Sequence, residues 1–346
     1  MKALIGTTLL TSASAILLAW SASAAEVASP VHGIITLTIK GHGGHGTSAL
    51  SFLGLGLTQP VICQGNLESF QNNVVTDQDA SWTDDQFNGP ADSCYLEITS
   101  GPAAGMMSDI VDTSASSKSL TLADNLSGYL SGGETFKVRK HWTLAKLFGA
   151  NNEAGLGGGS FLTADQILIY DPVSAQYTTY YYQTSGIGGT GWRSNLSATE
   201  SAAGRKLDLT RGLVIRRKVA GDLNVKICGA VKTGDTYFLV HPGLNFAGNV
   251  YPVEGLTLGN SQLYTGDPAT GLAPGSFVSA DKVLIYNGAG YDTYYYQNQG
   301  LGGIGWRSSA NANVDASATV IPGGSSIVIQ RNKNKDAFYW VASQPF

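Results

Sequence analysis

Charged residues and cysteines are scarce in this chain of 346 residues. Only 13% of the residues are Asp, Glu, Lys or Arg, the formal net charge is −4, and there are three cysteines. A disordered chain would combine high net charge with few aromatic residues, whereas aromatic residues make up 10% here. The lack of a basic surplus excludes a surface built for nucleic acid or for anionic lipid. The 44 glycines and 16 tyrosines are typical of short strands joined by turns.

Long apolar runs are confined to the N-terminus. The first 24 residues have the parts of a secretory signal: Lys2, an uncharged apolar stretch from Ala3 to Trp20, and small residues from Ala22 to Ala24 where cleavage would occur. An uncleaved membrane anchor is the alternative interpretation. No later stretch of about 18 residues stays apolar. The chain is therefore predicted to be exported, either secreted or at the cell surface, with no membrane span after signal cleavage.

The three cysteines allow one disulfide in an oxidising compartment. Cys63 and Cys94 fall in one predicted domain and are the candidate pair, with unbridged thiols as the alternative. Cys228 lies in an alternating apolar segment and is predicted to be a buried free thiol. The spacings match no zinc or haem motif, so no metal site and no cofactor are expected.

An internal repeat is the most informative feature. Phe161–Tyr170 recurs as Phe277–Tyr286, an offset of 116 residues that becomes 114 after the turn that follows. A β-module tolerates length changes at turns and not within its ladders. Each copy continues with a tyrosine run, a glycine loop, Trp-Arg-Ser and a β-branched run: Tyr180–Gln183, Gly186–Gly191, Trp192–Ser194 and Leu213–Arg217 in the first, and Tyr294–Gln297, Gly300–Gly305, Trp306–Ser308 and Ile327–Arg331 in the second.

Each copy is predicted to form a meander of four short strands. Helical spacing is rare, and the best window is Trp142–Phe148, about two turns. We therefore predict an all-β fold with a small N-terminal β-barrel-like unit and two related β-sandwich-like modules. The predicted boundaries are 1–24 for the signal peptide, 25–140 for the N-terminal β region, 141–220 for the first module and 221–346 for the second.

Motifs along the mature chain resemble those of one protein family. They are Ser81-Trp82-Thr83, Glu97–Ala103, Gly133–Leu144 and the two Tyr-Tyr-Tyr…Gly-Trp-Arg blocks. Together they are similar to an uncharacterised family of exported, β-rich bacterial proteins, over nearly the whole mature chain. The resemblance implies export and β-architecture, and it implies no activity and no catalytic residue.

Familiar catalytic and nucleotide-binding motifs are not formed. Both glycine loops fit G-x-G-x-x-G, but a dinucleotide site needs a helix directly afterwards, and Trp-Arg-Ser follows instead. Hairpin loops are the better interpretation. The chain has no Gly-x-Ser-x-Gly elbow and no His-Glu-x-x-His motif, so an enzyme is not expected. A polysaccharide-acting hydrolase with dispersed carboxylates is the less favoured alternative.

The aromatic runs supply the candidate binding residues. Neighbouring tyrosines on a strand point to opposite faces, so that one face must be core. The other face is either covered as well, which is favoured, or is an aromatic platform for a sugar. The platform residues would be Tyr181, Trp192, Arg193, Tyr295, Trp306 and Arg307.

The favoured function is that of a secreted, non-catalytic structural or adhesive surface protein. A carbohydrate-binding module that uses the aromatic platform is the alternative. The expected partners are cell-surface or matrix glycans, or further copies of the chain, and nucleic acid is not expected.

Overall fold

The computed structural model describes residues 31–42, 48–89, 93–300 and 302–345. The predicted signal peptide lies outside these residues. Within them, 23 strands and one short helix are found. The all-β prediction is confirmed. No helix in the described ranges is long and apolar enough to span a membrane.

The elements follow one another with short connections. From the N-terminal side they are β1 (His32–Ile39), β2 (Ala49–Leu53), β3 (Val61–Asn66), β4 (Ser69–Gln71), β5 (Val74–Thr76), β6 (Cys94–Ile98), β7 (Met107–Ser114), β8 (Ser119–Leu122), β9 (Thr135–Lys140), β10 (Trp142–Thr143) and α1 (Leu144–Phe148). They continue with β11 (Gln166–Asp171), β12 (Gln176–Gln183), β13 (Gly191–Ser194), β14 (Lys206–Leu207), β15 (Leu213–Arg217), β16 (Leu223–Ala230), β17 (Thr236–Val240), β18 (Gly243–Gly248), β19 (Lys282–Tyr286), β20 (Tyr291–Gln297), β21 (Gly305–Ser308), β22 (Ser326–Arg331) and β23 (Phe338–Ala342).

The N-terminal unit is a seven-stranded antiparallel sheet in the order β3-β9-β6-β7-β8-β5-β4. Its two end strands, β3 and β4, are consecutive in the chain and only Leu67 and Glu68 separate them. The two edge strands of the sheet are therefore neighbours in the sequence, although none of the sheets in the described residues closes into a barrel. Its interior is packed by alternate side chains such as Leu96, Ile98 and Phe136, all fully buried.

The two sequence repeats form two five-stranded sheets of the same design. Their orders are β13-β12-β11-β15-β2 and β21-β20-β19-β22-β18. Equivalent residues pair in the same register, since Tyr181 lies opposite Arg193 and Tyr295 lies opposite Arg307. A strand, and no helix, follows each glycine loop. The repeat thus encodes one pleated unit twice.

The repeat extends further back than its obvious motifs. β2 and β18 hold the same edge position in their sheets, and their sequences, Leu50-Ser-Phe-Leu-Gly54 and Leu244-Asn-Phe-Ala-Gly248, correspond. The seven-stranded sheet therefore comes between β2 and the rest of the first copy in chain order. The predicted boundaries of the N-terminal region and the two modules stay a prediction. Strand β2 falls in the predicted N-terminal region but lies in the sheet of the first copy. Three further two-stranded sheets are formed by β1 with β16, β10 with β14 and β17 with β23.

The two modules meet through equivalent contacts. The amide of Gly54 donates to the carbonyl of Gly324 at 2.9 Å, and that of Gly248 donates to the carbonyl of Thr210, also at 2.9 Å. An offset of 194 residues relates the two donors, and an offset of 114 relates the two acceptors. Reciprocal contacts of this kind are the mark of a two-fold interface, here formed inside one chain. The surrounding ring contacts are reciprocal too: Phe52 packs on Tyr286 and Tyr291, and Phe246 packs on Tyr170 and Tyr177.

Both faces of each module sheet are covered. One face forms the apolar interface between the modules, and the other lies on the main core, which includes α1 and Trp340. The helix is shorter than the predicted two turns because Trp142 and Thr143 pair with β14. Thr143 then caps the helix, its side chain accepting a hydrogen bond from the amide of Lys146.

The predicted disulfide is not formed. Cys63 lies on β3 opposite Val138 of β9, while Cys94 lies on β6 opposite Lys140 of the same strand. One strand thus separates the two cysteines, which places them about two strand spacings, or ~10 Å, apart. A disulfide needs Cα atoms within about 7 Å. The prediction for Cys228 is also wrong, since it is exposed on the outer face of β16.

Candidate functional site

The six platform residues predicted from the sequence are all buried. The hydroxyl of Tyr181 donates to Gln183 Oε1 at 3.2 Å, and its ring packs edge-on against Phe161. The second copy repeats this arrangement, with Tyr295 bonded to Gln297 at 3.3 Å and packed on Phe277. The loops before β11 and β19 therefore cover this face, as the favoured prediction had it.

The Trp-Arg pairs are also committed to the fold. Trp192 Nε1 donates to the carbonyl of Gly149 at 2.8 Å. Arg193 Nη1 donates to the carbonyl of Trp192 at 2.9 Å, and its Nη2 donates to the carbonyl of Gly188. Arg307 makes the equivalent bonds to Trp306, at 2.8 Å, and to Gly302. These six residues therefore form no exposed aromatic platform, which was the less favoured alternative, because they are buried and bonded within the fold.

The glycine loops need glycine for a steric reason. Gly188 and Gly302 have φ values of 94° and 86°, which side chains rarely adopt. A Cβ atom at either position would collide with the carbonyl oxygen of Ala198 or Ala312. The nucleotide-like spacing of the motif thus reflects a tight hairpin loop fixed by an arginine.

A buried ion pair repeats in both modules and was missed by sequence reasoning. Arg217 Nη1 lies 2.9 Å from Asp165 Oδ2, and Arg331 Nη1 lies 3.1 Å from Asp281 Oδ2. Each carboxylate also accepts backbone amides, for example from Lys218 at 2.6 Å. The available signal was that the Asp of each Ala-Asp pair and the last Arg of each β-branched run both recur.

A cavity of about 300 Å³ lies where several parts of the fold meet. The seven-stranded sheet supplies Asp109 and the segment after β9 supplies His141. The stretch between β14 and β15 supplies Asp208 and Arg211, and the β17–β23 pair supplies Tyr237 and Tyr339. No local sequence motif joins these residues, so sequence reasoning had no signal for the site.

A charged cluster lines part of this cavity. His141 Nε2 lies 2.9 Å from Asp109 Oδ1, and Lys206 Nζ contacts the other carboxylate oxygen of Asp109. Lys206 Nζ also lies 3.5 Å from Asp208 Oδ1. Burial alone would raise the pKa of Asp109, but the contact with His141 and the charge of Lys206 outweigh it and lower the pKa to about 2. Burial by itself would lower the pKa of Lys206, but the carboxylates of Asp208 and Asp109 outweigh it and raise the pKa.

The same cluster has a set of metal-type donors. Donor atoms of Asp109, His141 and Asp208 lie within 4.8 Å of one another. Nitrogen and carboxylate ligands of this kind suit Zn²⁺. The Lys206 ammonium, however, already compensates both carboxylates, and its raised pKa keeps it charged. The arrangement therefore favours hydrogen bonding to an organic group over metal coordination.

A second group of polar residues, around Arg211 and His241, lines the same cavity. Arg211 Nε lies 3.2 Å from Asp208 Oδ2. Burial, followed by the charge of Arg211, lowers the pKa of His241, so that this imidazole is neutral near pH 7. Asn245 holds the backbone of His241 through two hydrogen bonds, at 2.8 and 2.7 Å. These residues thus combine the Arg211–Asp208 ion pair with a neutral imidazole whose backbone is held in place.

Comparisons of the chain with family models, with curated proteins and with solved structures find no match. The family resemblance given by the motifs therefore stays a prediction.

Proposed function

We propose that the chain is an exported, non-catalytic structural or adhesive surface protein, and that it adheres through two equivalent apolar loop tips. The rest of each repeat supports this role by forming a stiff frame. The recurring arginines, glutamines and tyrosines of the modules bond to their own loops and strands. The surface positions of the loops are then the part of each module available for contact.

Each loop tip carries two exposed apolar residues, and their exposure is the main support for the proposal. In the first module Leu162 is 79% exposed and Ile187 is 82% exposed. In the second, Val278 is 88% exposed and Ile304 is 70% exposed. Single exposed apolar residues need no explanation, but paired ones at equivalent loops of two copies indicate an interaction site. The loop that carries Ile187 is also anchored to its module, since Gln183 Nε2 donates to the carbonyl of Ile187 at 2.8 Å.

Strand directions favour simultaneous contact by both tips. β15 is antiparallel to β2, and Ser325, just before β22, is paired antiparallel with Leu53 at the end of β2. β15 and β22 therefore start at one junction and run away from it. Packed sheets keep their strands roughly aligned or crossed at about a right angle. Both tips lie beyond the far ends of these strands. They therefore lie on the same side of the junction between the modules.

Adhesion to alkyl-coated surfaces in a flow cell tests the proposal. The double variant Leu162→Ser and Val278→Ser should lose most retention, while either single variant loses part of it, because two linked contacts act together. Val173→Ser is the matched control: Val173 is 73% exposed but lies in the β11–β12 turn at the opposite end of the module. Equal retention of the double variant and the control would refute adhesion through the tips.

A further inference from the structure

We propose that the cavity between the seven-stranded sheet, the first module and the β17–β23 pair binds a neutral, polyhydroxylated ligand such as a sugar unit. This site uses none of the six platform residues and none of the loop tips. It therefore goes beyond the adhesive role, and it is tested separately.

The size and place of the cavity suit a small molecule. Its volume of about 300 Å³ is at the lower end of the range usual for ligand pockets. Such pockets form preferentially where separate structural units meet. Several parts of the fold meet here, β18 of the second module included, and residues from each line the same space.

Most charges in the cavity are paired, and the exposed carboxylate of Asp124 accepts a hydrogen bond from the hydroxyl of Ser108 at 2.8 Å. Asp109 is paired with Lys206, and Asp208 is paired with Arg211 at 3.2 Å. An anionic ligand would have to break one of these pairs to find a cation, whereas a neutral ligand leaves both intact. The site also mixes acceptors, such as the carboxylates, with donors, such as the guanidinium and ammonium groups. A hydroxyl both donates and accepts, so several hydroxyls on one ring match this mixture.

Aromatic side chains supply the apolar part of the site. Tyr237 and Tyr339 pack edge-on at 6.0 Å and line the cavity with part of their surface exposed. The hydroxyl of Tyr237 donates to the carbonyl of Pro102 at 3.1 Å, which fixes the ring. Tyrosine combines an apolar ring with a polar edge, as recognition of a sugar ring requires.

One residue of the cavity lining has a buried polar atom that lacks a hydrogen-bond partner among the described residues. His141 is buried, and its Nε2 contacts Asp109, but its Nδ1 has no hydrogen-bond partner among the described residues. A buried polar atom without a partner costs about 1–3 kcal/mol. A ligand hydroxyl that reached this nitrogen would remove that cost.

The site is single, although the modules are duplicated. The offset of 114 places Val320, Pro322 and Ser325 of the second copy where the first has Lys206, Asp208 and Arg211. The second copy thus lacks the charged groups of the site. The seven-stranded sheet, which comes between the strands of the first copy only, supplies a further part of the wall.

The test is titration calorimetry and saturation-transfer NMR with glucose, galactose, mannose and N-acetylglucosamine, each added to the full mature chain. A free sugar of this size is expected to bind with a Kd of ~1 mM or weaker. Ala123 is exposed at the cavity mouth, so Ala123→Trp should block entry without disturbing the core. Ala289→Trp, in the exposed β19–β20 turn, is the matched control.

The proposal expects at least a tenfold loss of affinity in Ala123→Trp and no change in Ala289→Trp. Arg211→Ala, at a half-buried side chain, should also weaken binding by about tenfold. No transfer signal from any of the four sugars, or binding that survives Ala123→Trp, would overturn it. The double variant Leu162→Ser and Val278→Ser should keep full sugar binding, so failure of the adhesive role is distinguishable.

Discussion

The rings of Phe52 and Phe246 stack 6.1 Å apart with 10° between their planes. They are equivalent residues of the two copies, so their contact lies at the centre of the internal two-fold relationship. A residue that touches its own counterpart is expected only on or near such an axis. The contact therefore marks where the two modules are joined.

Phe52→Ala and Phe246→Ala should each lower the free energy of unfolding by about 3–5 kcal/mol, because each removes a buried ring. The double variant should cost about 1 kcal/mol less than the sum, since the first change already removes the stacking partner. Chemical denaturation of the four proteins measures this. Phe161→Ala, at a partly exposed ring, is the control and should cost much less. Strict additivity would contradict direct coupling of the two rings.

Arg217→Met and Arg331→Met should each destabilise the fold by about 3–5 kcal/mol, because each leaves a buried aspartate without its cation. Arg216→Met is the matched control on the same strand: Arg216 is only partly buried and bonds Gln166 at 3.2 Å. Its expected cost is below about 1 kcal/mol. Thermal and urea unfolding compare the three. Equal costs for Arg216 and Arg217 would mean that the ion pair has no special role.

Asp109→Asn should weaken the fold at neutral pH and flatten its acid dependence. The folded-state pKa of Asp109 is about 2, below the ordinary 3.8, so its ionised form stabilises the fold above pH ~4. This contribution is lost as the pH falls through about 2. Since the side chain is about one-third exposed, solvent screening limits it to about 1 kcal/mol.

Urea unfolding between pH 7 and pH 2 checks the Asp109 prediction. The wild type and Asp109→Asn should differ at pH 7 and converge near pH 2. Asp112→Asn is the control, because Asp112 is exposed on the same strand. A constant difference between the wild type and Asp109→Asn over the whole range would show that the asparagine acts through packing and not through charge.

All three cysteines should be present as thiols in protein purified without reductant. Strand β9 keeps Cys63 and Cys94 too far apart to bridge, and Cys228 is exposed. Alkylation with iodoacetamide followed by mass spectrometry should label Cys228 in the native state and all three after denaturation. A mass two daltons lower, with Cys63 and Cys94 unlabelled, would contradict this arrangement.

Trp192→Phe should cost about 1–3 kcal/mol of stability, because it leaves the carbonyl of Gly149 without its indole donor. It should leave sugar binding in the cavity unchanged. Calorimetry of the variant measures both. Loss of sugar binding with unchanged stability would instead restore Trp192 as a surface platform residue.

Periodicity and the repeat were enough to predict the all-β class, the strands around the tyrosine runs and the loop nature of both glycine motifs. These features are local: alternation, β-branched runs and turn residues act within a few positions. The correspondence between the edge strands β2 and β18 escaped detection because the shared Leu-x-Phe pattern is short and the seven-stranded sheet separates β2 from the rest of its copy.

The sequence by itself determined the pleated unit and its duplication, since strand propensity and turn chemistry are written residue by residue. Only the tertiary structure decided which aromatic faces are covered, that Cys63 and Cys94 are kept apart, and that Asp109, His141 and Lys206 meet. Those outcomes depend on which strands become neighbours. Neighbours in a sheet are chosen by packing between segments that lie tens to hundreds of residues apart, and no local pattern records that choice.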